Sequence, residues 1–312
     1  MKRDRTAAVI GAAFLVLAAA GPWLPQWAMF IITVAFARGL VALGLVLLLR
    51  AGLVSFGQAL FYCLGAYAAG ALGRFFGVAD IFIEMLVGGA VAALVAFILG
   101  FLLARYRGIF FGLLSLALSM ILYGLLVKTE ALGSTDGFNI APSTIFGVRP
   151  APEWVRYSVL LSAAAVAALA ALIVHRYLQT PLGRLAPAIK DNEIRVEYMG
   201  ASARKAVHVT YVIAGALAGV GGALAATAVG HIDPDMAYWT SSGEFIFITI
   251  LAGTGSVVAP FAGALLYGAI HTLAYGLSPN TWQMSLGLAL LVLIVFLPEG
   301  LWSLASRHAR HS

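Results

Sequence analysis

Arg38 stands inside an apolar run, about 27–49, between Phe36-Ala37 and Gly39-Leu40-Val41. A guanidinium at the centre of a membrane helix costs about 2.5–3.5 kcal/mol on insertion scales. It therefore needs an anion or a route to the interface. Glu244 and Glu84 are acidic groups set among apolar residues. A solute carboxylate would serve equally, and an off-centre segment would let the side chain snorkel. Two polar breaks add to the inventory: Ser55, Gly57 and Gln58, and Gly253-Thr254-Gly255-Ser256 followed by Pro260. A helix end inside a membrane offers open N–H donors and a positive dipole, which suit a charged small solute. The competing reading is ordinary, because Gly and Ser also let helices approach closely in lipid. Gly215, Gly219 and Gly222 are assigned to such packing.

Other chemistry is missing from the pattern. His175, His208, His231 and His271 have no ligand spacing, so no metal site is expected. Cys63 is the single cysteine, which rules out a disulfide within one copy. No Gly-Lys pair occurs, so the chain has no phosphate-binding loop of the Gly-Lys-Ser/Thr kind. No acid, base and nucleophile constellation is visible. The residues point to binding and passage rather than to catalysis, and no cofactor is expected.

The elements that must position these residues are membrane helices. Apolar residues make up 62% of the 312-residue chain and charged residues 10%, against about a quarter in a soluble domain. A net charge of +6 would suit nucleic acid, but the basic residues punctuate the ends of apolar segments instead of forming a stripe, so no nucleic-acid partner is expected. Apolar segments run about 7–22, 27–49, 57–73, 84–104, 108–127, 157–177, 207–229 and 282–300. The stretch about 243–276 would be about 50 Å long as one helix, against a bilayer core of about 30 Å. Its glycines and Pro260 divide it into two. The expectation is a polytopic all-α bundle of about ten transmembrane helices, one domain over 1–312. Met1-Lys2-Arg3-Asp4-Arg5 and Ala18-Ala19-Ala20 resemble a cleaved signal peptide, but a retained first helix is the simpler reading.

Charge sets the direction. With the N-terminus in the cytoplasm, fourteen basic residues fall inside: Lys2, Arg3, Arg5, Arg50, Arg105, Arg107, Arg176, Arg184, Lys190, Arg195, Arg204, Lys205, Arg307 and Arg310. Four fall outside: Arg74, Lys128, Arg149 and Arg156. This obeys the positive-inside rule, and an even segment count also keeps the basic C-terminal tail in the cytoplasm. Two long loops remain, an outer one at about 128–156 and a cytoplasmic one at about 178–206. In the cytoplasmic loop, Pro187 fits the first turn of a short helix and Gly200 the residue just past its end. Ile189, Val196 and Met199 would share one face, with Asp191 and Arg195 paired on another. Such a helix either rests on the membrane surface or serves another protein as a docking element.

This loop resembles the cytoplasmic coupling loop of ABC importer permeases of the branched-chain amino acid type. Thr180, Pro181, Gly183, Arg184, Ala188, Ile189, Lys190, Asp191, Asn192, Glu193 and Gly200 carry the likeness. Gly52 to Phe61 with Gly65-Ala66-Tyr67, Arg107 to Phe111, Thr135-Asp136-Gly137, Leu251 to Ser256 with Pro260 and Gly263-Ala264, and Pro298-Glu299-Gly300-Leu301 match further motifs in order. The chain departs from the pattern at Val46, often Asn; at Gln58, often His; at Pro187, often Arg; and at Arg38.

The resemblance implies a type II ABC-importer-like permease in the inner membrane, with both termini cytoplasmic. It implies cytoplasmic ATP-binding subunits, a second permease subunit (a heterodimer), and an extracytoplasmic solute-binding protein. Arg184, Ile189, Lys190, Asp191, Asn192, Glu193 and Gly200 are then the ATPase-coupling residues. From their polarity at depth and the breaks they make, and not from the resemblance, Arg38, Ser55, Gly57, Gln58, Gly253, Thr254, Gly255 and Ser256 are expected to line the path; Thr135, Asp136 and Gly137 match an outer-loop motif of the family. The substrate is a branched-chain amino acid or a similar small polar solute. Alternatives are a permease for urea or an amide, one for a ribose-type sugar, and a stand-alone secondary transporter.

Overall fold

A computed structural model describes residues 6–277, 281–296 and 300–302. Lys2, Arg3, Arg5, Pro298, Glu299, Arg307 and Arg310 lie outside the described residues. The helices are α1 (Thr6–Ala20), α2 (Gln26–Arg50), α3 (Gln58–Phe76), α4 (Ile81–Leu103), α5 (Gly108–Lys128), α6 (Val155–Gln179), α7 (Pro181–Tyr198), α8 (Ala203–Val229), α9 (Trp239–Ala252), α10 (Ala259–Leu277) and α11 (Trp282–Phe296). Two short strands, β1 (Phe138–Asn139) and β2 (His231–Ile232), pair antiparallel. The chain is thus an all-α polytopic membrane protein. Among the described residues, seven helices are long and apolar enough to cross a membrane: α1 to α6, and α8. The expected figure of about ten is not reached on this measure. At 14 residues, α9 is about 21 Å long, short of a bilayer core.

α2 and α8 form the centre. Every residue of α2 from Gly39 to Leu48 is buried. Gly44 lies against Ala214, and Gly221 against the Ala37 carbonyl, so the two helices run antiparallel. α8 also packs against α3 and α4, while α2 packs against α9 and α10. α2 leads through a linker into α3 and α4, and α8 leads through a second linker into α9 and α10. Helices that begin or end inside a membrane line solute sites near the bilayer midplane in many transporters.

Small residues allow the close approach. Gly65 meets the Gly219 backbone with no room for a side chain, and Gly219 also lies against Gly88 and Ala92. Gly215 faces Ala96 and Phe61, and Gly222 faces the Tyr62 carbonyl. The glycines of α8 are therefore packing positions. In lipid, where burial from water does not drive helix association, such contacts hold a bundle together.

Candidate functional site

Arg38 is the middle residue of α2, twelve residues from Gln26 and twelve from Arg50. At 1.5 Å per residue this is about 18 Å from either end. Its Nη2 lies 3.5 Å from Glu244 Oε2 on α9. Its guanidinium carbon sits 5.6 Å from the Tyr267 ring centroid on α10. Of the anions open to it on sequence grounds, Glu244 is the partner. Glu84 instead accepts from the Thr227 hydroxyl at 3.1 Å.

Two helix starts meet at this depth. The Ala59 amide at the beginning of α3 donates to Ser242 Oγ at the beginning of α9, at 3.2 Å. The Tyr62 and Phe245 rings pack edge-on, with centroids 5.0 Å apart. Ser242 precedes Glu244 by two residues, so both starts lie within about one helical turn of the Arg38 level. The chain reaches α3 through residues 51–57. There, the Ser55 hydroxyl accepts from the Gly57 amide at 3.3 Å and Ser115 Oγ accepts from the Phe56 amide at 3.1 Å. Gly57 sits against the Ser115 carbonyl, where a side chain would clash. Gln58 is completely buried, and neither its Nε2 nor its Oε1 has a hydrogen-bond partner among the described residues. Buried polar groups are nearly always paired, so an orphan amide at a helix start inside a membrane is a functional candidate.

The second expected break lies elsewhere. α9 ends at Gly253, whose φ is +80°, and α10 begins at Ala259. Both Nε and Nη2 of Arg50 donate to the Thr254 carbonyl, at 3.0 and 2.6 Å. The Leu301 amide donates to the Leu251 carbonyl at 2.8 Å, and Gly255 lies against Trp302. Ser256 Oγ accepts from the Val258 amide at 3.3 Å. Gly253, Thr254, Gly255 and Ser256 are therefore level with the last residue of α2, not with its middle. The mid-depth break paired with Ser55–Gln58 is the start of α9, which sequence reasoning missed. The polar run Ser241-Ser242-Gly243-Glu244 was its signal.

α5 connects this region to the loop at 178–206. Gly108 begins it, next to Arg107. Arg107 grips Glu193 through Nε to Oε2 at 2.8 Å and Nη2 to Oε1 at 2.7 Å. Higher along the same helix, Ser115 holds the linker before α3, and Ser119 donates to the Ala237 carbonyl just ahead of α9, at 2.8 Å. Gly112, Ser115 and Ser119 recur at helical spacing, a polar stripe on an otherwise apolar helix. Arg107 was singled out from sequence only as the start of a matching motif and as a cytoplasmic charge, and Ser115, Ser119 and Ser242 were not picked at all.

The loop helix differs from expectation in three respects. α7 begins at Pro181, not Pro187, because the Thr180 hydroxyl caps it by accepting from the Gly183 amide at 3.2 Å. Pro187 lies inside it. Asn192 adopts an extended conformation (φ −162°, ψ 97°) and restarts the helix, its Oδ1 accepting from the Arg195 amide at 2.9 Å. This break separates Asp191 from Arg195, and the ion pair that forms is Glu193 with Arg107. Ile189 and Val196 are buried against Ala203 and Ala206, but Met199 is exposed, since the restarted helix turns it outward. Arg184, Lys190, Asp191, Asn192 and Gly200 are exposed, and Gly200 has φ +83°. Ile194 and Tyr198 add 67% and 88% exposed surface to the same segment.

On the opposite end, Ser134–Asp136 form a single 3-10 turn, and the Thr135 hydroxyl donates to Asp136 Oδ1 at 3.2 Å. Gly137 (φ +65°) lies against the Ile232 carbonyl, where no side chain fits. The motif thereby enters β1, which pairs with β2 after α8.

A family model described as the permease component of branched-chain amino acid transport systems matches residues 27–297. The chain is 29% identical to the high-affinity branched-chain amino acid transport system permease protein LivM of Escherichia coli (strain K12), over 93% of this chain and 73% of the relative. It is 28% identical, with the same coverage, to the protein of that name from Salmonella typhimurium. No solved structure matches the chain.

Proposed function

The chain belongs to the family of permease components of branched-chain amino acid transport systems, and from that membership we propose that it forms, with a second and non-identical permease subunit, the membrane path of an ATP-driven importer for branched-chain amino acids. It is a transport subunit and not an enzyme, and ATP hydrolysis belongs to partner chains. The observation that carries the reading is the family match over 27–297. The meeting of two interrupted helices beside Arg38 adds a physical site for passage.

In this reading the chain is one domain in the cell membrane with both termini in the cytoplasm, as its basic residues favour. Three further segments, α9, α10 and α11, complete ten. An extracytoplasmic binding protein delivers solute at the end that carries Thr135, Asp136 and Gly137. The solute passes Arg38, Ser55, Gly57 and Gln58 at mid-depth. Gly253 to Ser256, tied down by Arg50, close the path on the cytoplasmic side. The ATP-binding subunit engages Arg184, Lys190, Asp191, Asn192, Glu193 and Gly200, together with exposed Ile194, Tyr198 and Met199, while Ile189, buried against α8, anchors the segment instead of meeting the partner. Displacement of α7 then reaches both helix starts through Arg107, Ser115 and Ser119 on α5.

Reconstitution with the ATPase, the second permease and the binding protein tests this. ATP-dependent uptake of leucine, isoleucine or valine is expected. Uptake driven by an ion gradient through this chain alone would refute it, and uptake of urea or a pentose in place of amino acids would reassign the substrate.

A further inference from the structure

Two ion pairs form among the described residues, and they differ in kind. Arg107 and Glu193, outside the spanning helices, make a two-pronged contact at 2.7 and 2.8 Å. Arg38 and Glu244, at the middle of α2, make a single N–O contact at 3.5 Å, and Tyr267 lies against both, its ring 5.6 Å from the guanidinium carbon and its hydroxyl toward Glu244. A charge pair held at the midplane for architecture alone would need the tighter geometry, because there the cost of imperfect pairing is greatest. Among the described residues, donors of the planar Arg38 fork are left without a hydrogen-bond acceptor. Both side chains are also partly open, at 23% and 28% of their surface. On α9, exposed Phe247 and Ile250 follow Glu244 by three and six residues, turning about 60° and about 120° around the helix from it.

We propose that Arg38 and Glu244 form a zwitterion-recognition subsite for free aliphatic α-amino acids. This rests on the reading of the chain as an amino-acid permease. The substrate α-carboxylate takes the place of Glu244 on Arg38. Its α-ammonium takes the place of Arg38 on Glu244, and its aliphatic side chain lies along Phe247 and Ile250. Each charge exchanges one partner for another. A neutral pair accepts a neutral zwitterion, so no net charge is added at the midplane. An α-keto acid or an alkylamine would leave one protein charge unpaired in a region of low dielectric, and is excluded for that reason. The aliphatic wall disfavours polar side chains.

The test uses the complete transporter in proteoliposomes, reading leucine uptake, complex assembly and binding-protein-stimulated ATP hydrolysis. Arg38→Gln and Glu244→Gln are each expected to lower uptake at least tenfold, with assembly and stimulated hydrolysis within twofold of wild type. Arg38→Lys keeps the charge and therefore the fold, but loses the planar fork. Uptake three- to tenfold lower is expected from it. The exchanged variant Arg38→Glu/Glu244→Arg is expected to stay at least tenfold down, because a reversed zwitterion turns its side chain away from Phe247 and Ile250. Wild-type uptake in Arg38→Lys, in the double variant Arg38→Gln/Glu244→Gln or in the exchanged variant overturns the proposal and leaves the pair a packing element, including one against a second permease subunit. A wild-type complex that moves no amino acid removes the functional reading as well, whereas active wild type with unaffected variants removes this subsite alone.

Discussion

Arg107 and Glu193 face each other as fork and carboxylate, with two hydrogen bonds of 2.8 and 2.7 Å joining the start of α5 to the restarted half of α7. The side chains are 29% and 31% exposed, so solvent screens much of the Coulomb attraction. The pair therefore contributes little to global stability, about 1 kcal/mol or less. Its position argues for a mechanical role, since α5 is the element that also holds the linker before α3 and the turn before α9.

Glu193→Gln is expected to leave the melting temperature within a few degrees and to reduce uptake at least fivefold while ATP hydrolysis continues. Transport and hydrolysis measured on the same proteoliposomes check this. Normal uptake at a normal transport-to-hydrolysis ratio would show that the contact transmits nothing.

Asn192 makes the geometry of that contact possible. Its extended backbone ends one helix and its side chain caps the next. Asn192→Ala removes the cap, at a cost of about 1 kcal/mol, and favours a continuous helix that carries Glu193 away from Arg107. Faster amide exchange over residues 193–199, with loss of coupling as large as in Glu193→Gln, is the expected result. Unchanged exchange there would contradict it.

Gln58 sets stability against function. Its amide is buried and unpaired among the described residues, and replacing it by an apolar side chain of similar size removes that penalty, about 1–3 kcal/mol. Gln58→Leu is expected to raise thermal stability in detergent and to cut uptake at least tenfold. A variant that is both more stable and fully active would take Gln58 out of the path.

Gly65 is a packing prediction independent of transport. An added methyl group would meet the Gly219 backbone, which cannot move aside as a flexible side chain can. Gly65→Ala is expected to cost about 1–3 kcal/mol, the range for overpacked interiors, and to lower the melting temperature measurably. An equal shift from Gly276→Ala, where none of the described residues lies within 4 Å of an added methyl group, would show that the effect is not local packing.

What the sequence determined by itself is what short-range physics controls. The membrane environment follows from a composition too poor in charge to cover a soluble surface. Segment positions follow from run length, and the ends at Arg50, Gln58 and Gly253 follow from Gly, Ser and Pro placement. The unusual standing of Arg38 followed from its cost in lipid. Tertiary structure alone decided which distant charges meet, that Arg38 takes Glu244 and that Glu193 takes Arg107 and leaves Arg195 without the expected pairing to Asp191. It also decided depth. Gly253 to Ser256 and Ser241 to Glu244 are similar in polarity, yet the first lies level with the end of α2 and the second with its middle. Periodicity and transfer cost are properties of a few neighbouring residues, while depth and pairing are set by how closely the glycines of α8 let α2, α3 and α4 approach.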